Sequence, residues 1–219
     1  MTTTDTERTT PLTWVGRYVD QRVRELQEGY RLDRPDAVAA LARLRRGAGK
    51  QIEDTPELWG LVLDDRFYED APPVGEGAMR EAENAVHIAL TLYAVHQQSR
   101  RDDRMHQPGR DLGGAVRRLM PSGEIDEPLR RRFVQAGSAA TTAALAQRLR
   151  ELVTLLRRDA VPLDYGLLAD QIHQFRIPEG AKRVRASWGR GFHAYRPKAD
   201  DRPAPGTDTS TEESDKDQP

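Results

Sequence analysis

The 219-residue chain contains no cysteine. That excludes disulfides, thiolate zinc sites and thiol nucleophiles, and it suits a reducing compartment. Lysine is scarce: Lys50, Lys182, Lys198 and Lys216 stand against 30 arginines. No apolar run approaches the roughly 20 residues of a membrane span. Residues 1–11 are Thr-rich without an apolar stretch, so they do not read as a secretory signal. The common catalytic signatures are missing as well: there is no phosphate-binding G-x-x-x-x-G-K-[ST], no G-x-G-x-x-G opening a strand–helix unit and no H-E-x-x-H. Even the basic excess of a nucleic-acid protein is lacking, because 34 Lys and Arg face 35 Asp and Glu, a net charge of −1.

What is present is charge of both signs, unevenly placed. Residues 198–219 carry seven acids and three bases, net −4, among Pro, Thr, Ser and Gly, a composition that orders poorly by itself. Residues 1–11 carry −1, which leaves residues 12–197 at +4. Within them, 12–99 and 151–170 are acidic, while 100–150 and 171–197 are each +5. An acidic tail therefore masks two basic stretches. Arginine prevails among the cations, and its planar fork suits phosphate better than an ammonium does; a GC-rich genome also raises arginine.

The apolar spacing is helical almost throughout. Val15, Val19, Val23 and Leu26 form one stripe, with Trp14 and Tyr18 beside it. Pro35 reads as a first-turn proline for a helix through Val38, Leu41 and Leu44, ended by Gly47 and Gly49. Thr55-Pro56-Glu57 starts a helix holding Leu58, Trp59, Leu61 and Val62. Residues 64–77, with Pro72-Pro73, read as a loop and a candidate subdivision of the body. A long helix is expected over 78–100, then helices around 112–119, 126–134, 142–158, 164–175 and 180–195. About eight helices and no convincing strand imply an all-α helical bundle, in one or two helical layers. The domain reading is a leader at 1–11, an all-α body at 12–197 and an acidic tail at 198–219.

Candidate chemistry is thin. His96 and His106 flank Asp102 and Asp103, which raises a metal-dependent nuclease, although an Arg-Asp-Asp-Arg run more often pairs locally on a loop. His87 and His96 read as packed or hydrogen-bonded histidines. Trp14, Trp59 and Trp188 read as core residues more than as base-stacking platforms, Trp188 least securely because it lies among cations.

Four basic constellations remain. Arg43, Arg45 and Arg46 end a helix, with Lys50 beyond a Gly-Ala-Gly turn; cations there also complement the helix dipole. Arg100, Arg101, Arg104 and Arg110 bracket the loop after the long helix. Arg117 and Arg118 lead to Arg130, Arg131 and Arg132. Lys182, Arg183, Arg185 and Arg190 lie along the last helix, where 183 and 190 share a face, with Val184, Trp188 and Phe192 on another. Each cluster alone reads as a solvated face. Together, from Arg45 to Arg190, they suit a surface that follows phosphates without reading bases.

Several segments, in order, resemble a known family. They are Leu41-Ala42-Arg43-Leu44-Arg45-Arg46-Gly47, Leu92-Tyr93-Ala94-Val95-His96-Gln97-Gln98, and Met105-His106 followed by Leu112-Gly113-Gly114-Ala115-Val116. Arg131-Arg132-Phe133, Leu163-Asp164-Tyr165 with Leu167-Leu168-Ala169, and Trp188 near Phe192 continue the series. The set is similar to the CasB family, the small subunit of the type I-E CRISPR surveillance complex Cascade, over about residues 12–197. The resemblance implies an all-α, two-layer protein without catalytic residues, metal or cofactor. It implies the backbone and large Cascade subunits, a second copy of itself, and the crRNA-guided R-loop with its displaced single-stranded DNA as partners. It also implies a cytoplasmic setting, with neither membrane nor small-molecule substrate. The phosphate-contacting role then falls on the basic clusters named above.

Overall fold

Apolar stripes become helices nearly wherever the sequence carries them. The computed structural model describes residues 11–121 and 124–195. In chain order the α-helices are α1 (Trp14–Arg31), α2 (Pro35–Leu44), α3 (Trp59–Val62), α4 (Asp65–Glu69), α5 (Glu76–Gln97), α6 (Leu112–Arg118), α7 (Glu127–Gly137), α8 (Thr142–Arg158), α9 (Tyr165–Phe175) and α10 (Pro178–Ala194). Short 3-10 turns occupy Arg45–Gly47, Ile52–Asp54 and Pro56–Leu58. No strand forms among the described residues; a single bridge pairs His106 with Leu163. The fold is all-α, as the periodicity implies. The expected leader and tail lie outside the described residues, apart from Pro11.

Helix α5 is the centre. From Ala82 to Ala94 nearly every residue is buried, as an all-round apolar helix requires. It packs against α1, α2, α8 and α9, while α10 packs on α6 and α9, and α7 on α8. One cluster of buried side chains runs from Val15 on α1 to Phe192 on α10, so it spans both sides of residues 64–77. Each fully buried Leu, Val or Ile in it contributes about 1.5–3 kcal/mol relative to exposure.

Side chains fix the helix starts. Thr141, Asp126, Asp111 and Asp164 accept hydrogen bonds from the backbone N–H groups of Ala144, Leu129, Gly114 and Leu167. These caps put α8 and α9 where the sequence places them. Elsewhere the structure differs. Residues 64–77 include the short α4, whose Phe67 is fully buried and meets Trp14 and Tyr18. The long helix stops at Gln97 rather than Arg100, because the Gln97 side chain turns back onto the loop. Its amide donates to the Arg100 carbonyl and, at 3.0 Å, to that of Asp103, while its oxygen accepts from Met105 N at 3.2 Å. Trp59, expected in the core, is 52% exposed. The helix there is a single turn whose inward positions are Leu58 and Val62, and the indole N–H donates to the Ile52 carbonyl at 3.0 Å.

Candidate nucleic-acid interface

Helices α7 and α10 meet through aromatic rings. Phe133 stacks on Phe192, with centroids 5.3 Å apart and planes at 16°, and Trp188 lies 6.3 Å from Phe133 and 6.0 Å from Phe175. Trp188 is only 2% exposed and its Nε1–H donates to Gln171 Oε1 at 2.8 Å, so it is a core residue and not a stacking platform. Helix α6 closes on the same stretch because Gly113 lets it reach the α10 backbone at Trp188 and Phe192. A groove of about 310 Å³ runs between α7 and α10, floored by Phe133, Trp188 and Phe192 and rimmed by Arg130, Arg185 and the 53%-exposed Val134. A second hollow next to it is lined by Phe175, Arg176, Lys182 and Arg185.

This crossing brings one member of each of two sequence clusters, Arg130 and Arg185, to the rim of one groove. Arg130 is held by Glu127 at 2.7 Å and Lys182 by Glu179 at 2.7 Å. The Glu127 carboxyl is accordingly lowered by the Arg130 hydrogen bonds. Arg185 lies over the Phe175 ring at 5.8 Å and donates to the Gly137 carbonyl at 3.5 Å. Arg131, Arg132, Arg183 and Arg190 are exposed and form no ion pair or hydrogen bond among the described residues. Four cations are thus free for an outside anion, beside three that are anchored locally.

The other clusters serve differently. Arg100 joins the loop to α8: its Nε donates to the Arg157 carbonyl at 3.0 Å and its Nη2 to the Arg158 carbonyl at 2.5 Å. Arg101 pairs with Asp33 at 2.5 Å and lies 5.5 Å over the Tyr30 ring. Arg104 is exposed. Arg110 and Arg118 line a small pocket with Asp111 and Tyr195, and Arg117 donates to the Pro121 carbonyl at 3.2 Å. Arg46 and Lys50 are exposed and Arg45 half-buried on a turn docked against α8, where Gln147 donates to the Gly49 carbonyl at 2.7 Å and Arg150 to that of Ala48 at 3.1 Å. Val134 carries no role in the sequence reading, where position 134 only bounds a helix, although an apolar residue so soon after three arginines was a usable signal. Arg176 carries none either; it pairs with Glu81 at 3.1 Å.

The suspected nuclease set does not converge. Asp102 is exposed and Asp103 pairs with Arg100 at 3.6 Å, whereas the buried His106 points inward. His106 instead groups with Asp20 and Asp164. Its Nδ1 accepts from Tyr165 N at 3.1 Å and its Nε2 faces Asp20 Oδ1 at 2.9 Å; Asp164 accepts from Gly109 N at 2.8 Å and caps α9. Gln27 holds the His106 backbone from both sides, donating to its carbonyl at 3.3 Å and accepting from its N–H at 2.9 Å. These bonds tie α1, the 105–110 loop and α9 together. His96 is fully buried with Nδ1 2.9 Å from the Tyr165 hydroxyl, the structural hydrogen-bonding role expected of it.

Geometry defines an all-α protein with an arginine-rimmed aromatic groove where its last helix crosses α7. The chain belongs to the CRISPR-associated protein Cse2 family, whose family model matches residues 40–193. It is similar to CasB from Thermobifida fusca, whose crystal structure shares 75% identity and a TM-score of 0.79, covering 84% of this chain and 99% of that one. A Cse2-family CRISPR-associated protein from Thermus thermophilus shares 23% identity over 82% of this chain and 97% of its own, with a TM-score of 0.61. A chain of a CRISPR RNA-guided surveillance complex shares the fold at 22% identity and a TM-score of 0.57, with 82% and 96% covered. Among curated proteins no relative matches. No helix among the described residues is long and apolar enough to cross a membrane.

Proposed function

We propose that this chain is a non-catalytic small subunit of a type I-E CRISPR surveillance complex that offers the displaced DNA strand a phosphate path. The observation that carries the reading is the set of cations on α7 and α10, Arg131, Arg132, Arg183 and Arg190, which are exposed and form no ion pair among the described residues. Family membership and the CasB likeness support it. R-loop formation nearly balances one duplex against another, so modest backbone attraction tips it without base readout. The partners in this reading are the backbone and large subunits, a second copy of the chain, and the crRNA-guided R-loop, all in the cytoplasm. Charge reversal of Arg131, Arg132 and Arg183 in a reconstituted complex tests it. Shortened R-loop lifetime with assembly intact is expected; an unchanged lifetime refutes strand binding. A second reading, a pure assembly scaffold, draws on the exposed Val134 over an apolar floor, which suits a protein side chain. Loss of assembly on Val134→Asp, with strand affinity kept, favours the scaffold.

A further inference from the structure

We infer that the basic hollow between the start of α8 and the first turns of α10 is a phosphate-binding site, with Arg185 as its principal ligand. The hollow stands apart from the reading above; a DNA strand as the source of the phosphate rests on that reading.

Local packing makes the hollow. Phe175 closes α9 and Pro178 opens α10, so Arg176 lies in the short turn between them. Gly180 lets α10 start close to α9: a Cβ there would sit 2.2 Å from the Gln174 carbonyl oxygen. Lys182 and Arg185, three residues apart on α10, share a side of the helix. Ala139, Ala140 and Ala181 supply only methyl groups, which leaves an opening of about 340 Å³ beside Thr141, Thr142, Arg176, Lys182 and Arg185.

Charge is one-sided there. Three of the lining residues are cations and none is an acid. No acidic residue stands in the first turn of α8 either. Glu81 pairs with Arg176 at 3.1 Å and Glu179 with Lys182 at 2.7 Å, but neither glutamate lines the hollow. Both pairs are solvent-exposed and so individually weak, and an incoming anion shares their cations readily. Arg185 pairs with no acid among the described residues. Its guanidinium lies 5.8 Å over the Phe175 ring and donates to the Gly137 carbonyl at 3.5 Å. Those contacts fix its plane and leave most of its N–H donors open.

The donor set selects phosphate. Two guanidinium groups, an ammonium and two hydroxyls line the hollow. Thr141 Oγ1 accepts from Ala144 N at 3.1 Å, so its own proton is left to donate, and the Thr142 hydroxyl makes no hydrogen bond among the described residues. A single guanidinium fork satisfies a planar carboxylate. Donors spread over α8, α10 and the turn before α10 suit a tetrahedral group with acceptors on several sides. Phe175 is only 9% exposed and covered by Arg185, so no base stacks on it, and the site takes a phosphate whatever the sequence.

The full-length protein is titrated with sodium phosphate, against sodium chloride at equal ionic strength, while amide signals are followed. Saturable shifts confined to residues 141–144 and 181–185 are expected. Arg185→Gln should weaken the binding about fivefold. Ala140→Glu changes an exposed position on the wall, sets a carboxylate in the hollow and should abolish the shifts. Unchanged melting temperatures verify that both variants fold. Shifts that chloride reproduces, or that both substitutions leave intact, overturn the site. The dinucleotide dTpdT, with one phosphodiester, and oligo-dT identify the source. The same shifts with both assign the site to a strand. Oligo-dT that shifts amides elsewhere and leaves these untouched removes the hollow from the strand path, though strand binding stands. No oligo-dT shift anywhere refutes strand binding and leaves the hollow to a free phosphate.

Discussion

The backbone N–H of Gly16 donates to Asp170 Oδ1 at 2.7 Å, so the first turn of α1 is capped by a carboxylate from α9. Thr13 adds its N–H, 2.7 Å from Oδ2, and its hydroxyl. Thr13 occupies the cap position but its side chain caps nothing. A Cβ at Gly16 would lie 2.6 Å from the carboxylate, so glycine there admits the partner. Asp170→Ala should leave buried donors unsatisfied and cost about 2 kcal/mol, a melting-temperature drop of roughly 4–8 °C. Gly16→Ala should cost a similar amount by displacing the same carboxylate. Thermal unfolding of both single variants and the double variant checks this, since a shared mechanism makes the double less than additive.

Acid sensitivity should come from histidine. Burial lowers His87 to about 4 and His96 to about 3. Backbone groups of Gly47 and Lys50 favour the charged form of His87, too weakly to offset its loss of water. Burial also lowers His173. Unfolded histidines bind protons near pH 6.5, so the unfolded state gains protons first as pH falls. Stability should therefore decline from about pH 6.5 downward, by about 2 kcal/mol each for His87 and His96 at pH 5. Asp170 acts with the opposite sign: burial raises its carboxyl, so protonation there favours the folded state. Urea unfolding at pH 7 and pH 5 measures the difference, and His96→Gln should flatten it.

The α6–α10 crossing should tolerate nothing larger than glycine at one point. A Cβ on Gly113 would sit 2.6 Å from the Phe192 backbone nitrogen and closer still to the Trp188 carbonyl. Backbone cannot swing aside as a side chain does, so Gly113→Ala should cost at least 1–3 kcal/mol. It should also alter the near-ultraviolet signal of Trp188. Gly189→Ala on α10 is the control. Nothing lies within 4 Å of its Cβ position, and alanine should stabilise the helix by about 0.5–1 kcal/mol.

Local signals were legible in the sequence and distant ones were not. Asp164 announced α9 because a cap acts within three residues, and the Leu145, Leu149 and Leu156 spacing announced α8. Trp188, Val184 and Phe192 declared the inner face of α10 by spacing alone. Asp170 capping α1 is a contact across 154 residues that no spacing reveals. Trp59 misled because an apolar stripe does not tell a one-turn helix from a long one. The cations looked alike in sequence. Only packing sorted Arg100, engaged by the carbonyls of α8, from Arg183 and Arg190, which no described residue engages.

That sorting sets the salt dependence. If Arg131, Arg132, Arg183 and Arg190 each neutralise one phosphate, log affinity for single-stranded DNA should fall with log salt at a slope of about −3. Removing any one of them should flatten the slope by about 0.7 and leave the melting temperature nearly unchanged, because each is exposed and unpaired. Arg100→Ala should do the reverse. It removes the side-chain donor to the Arg158 carbonyl and one of two donors to that of Arg157, which keeps the Ala160 N–H, so it should lower the melting temperature while the slope stays near −3. Arg130→Ala should fall between, since Glu127 already occupies much of its charge. Oligo-dT titrations at four salt concentrations, paired with thermal melts of the same variants, separate the three behaviours. A slope that Arg183→Ala and Arg190→Ala leave unchanged would move the phosphate path off Arg183 and Arg190.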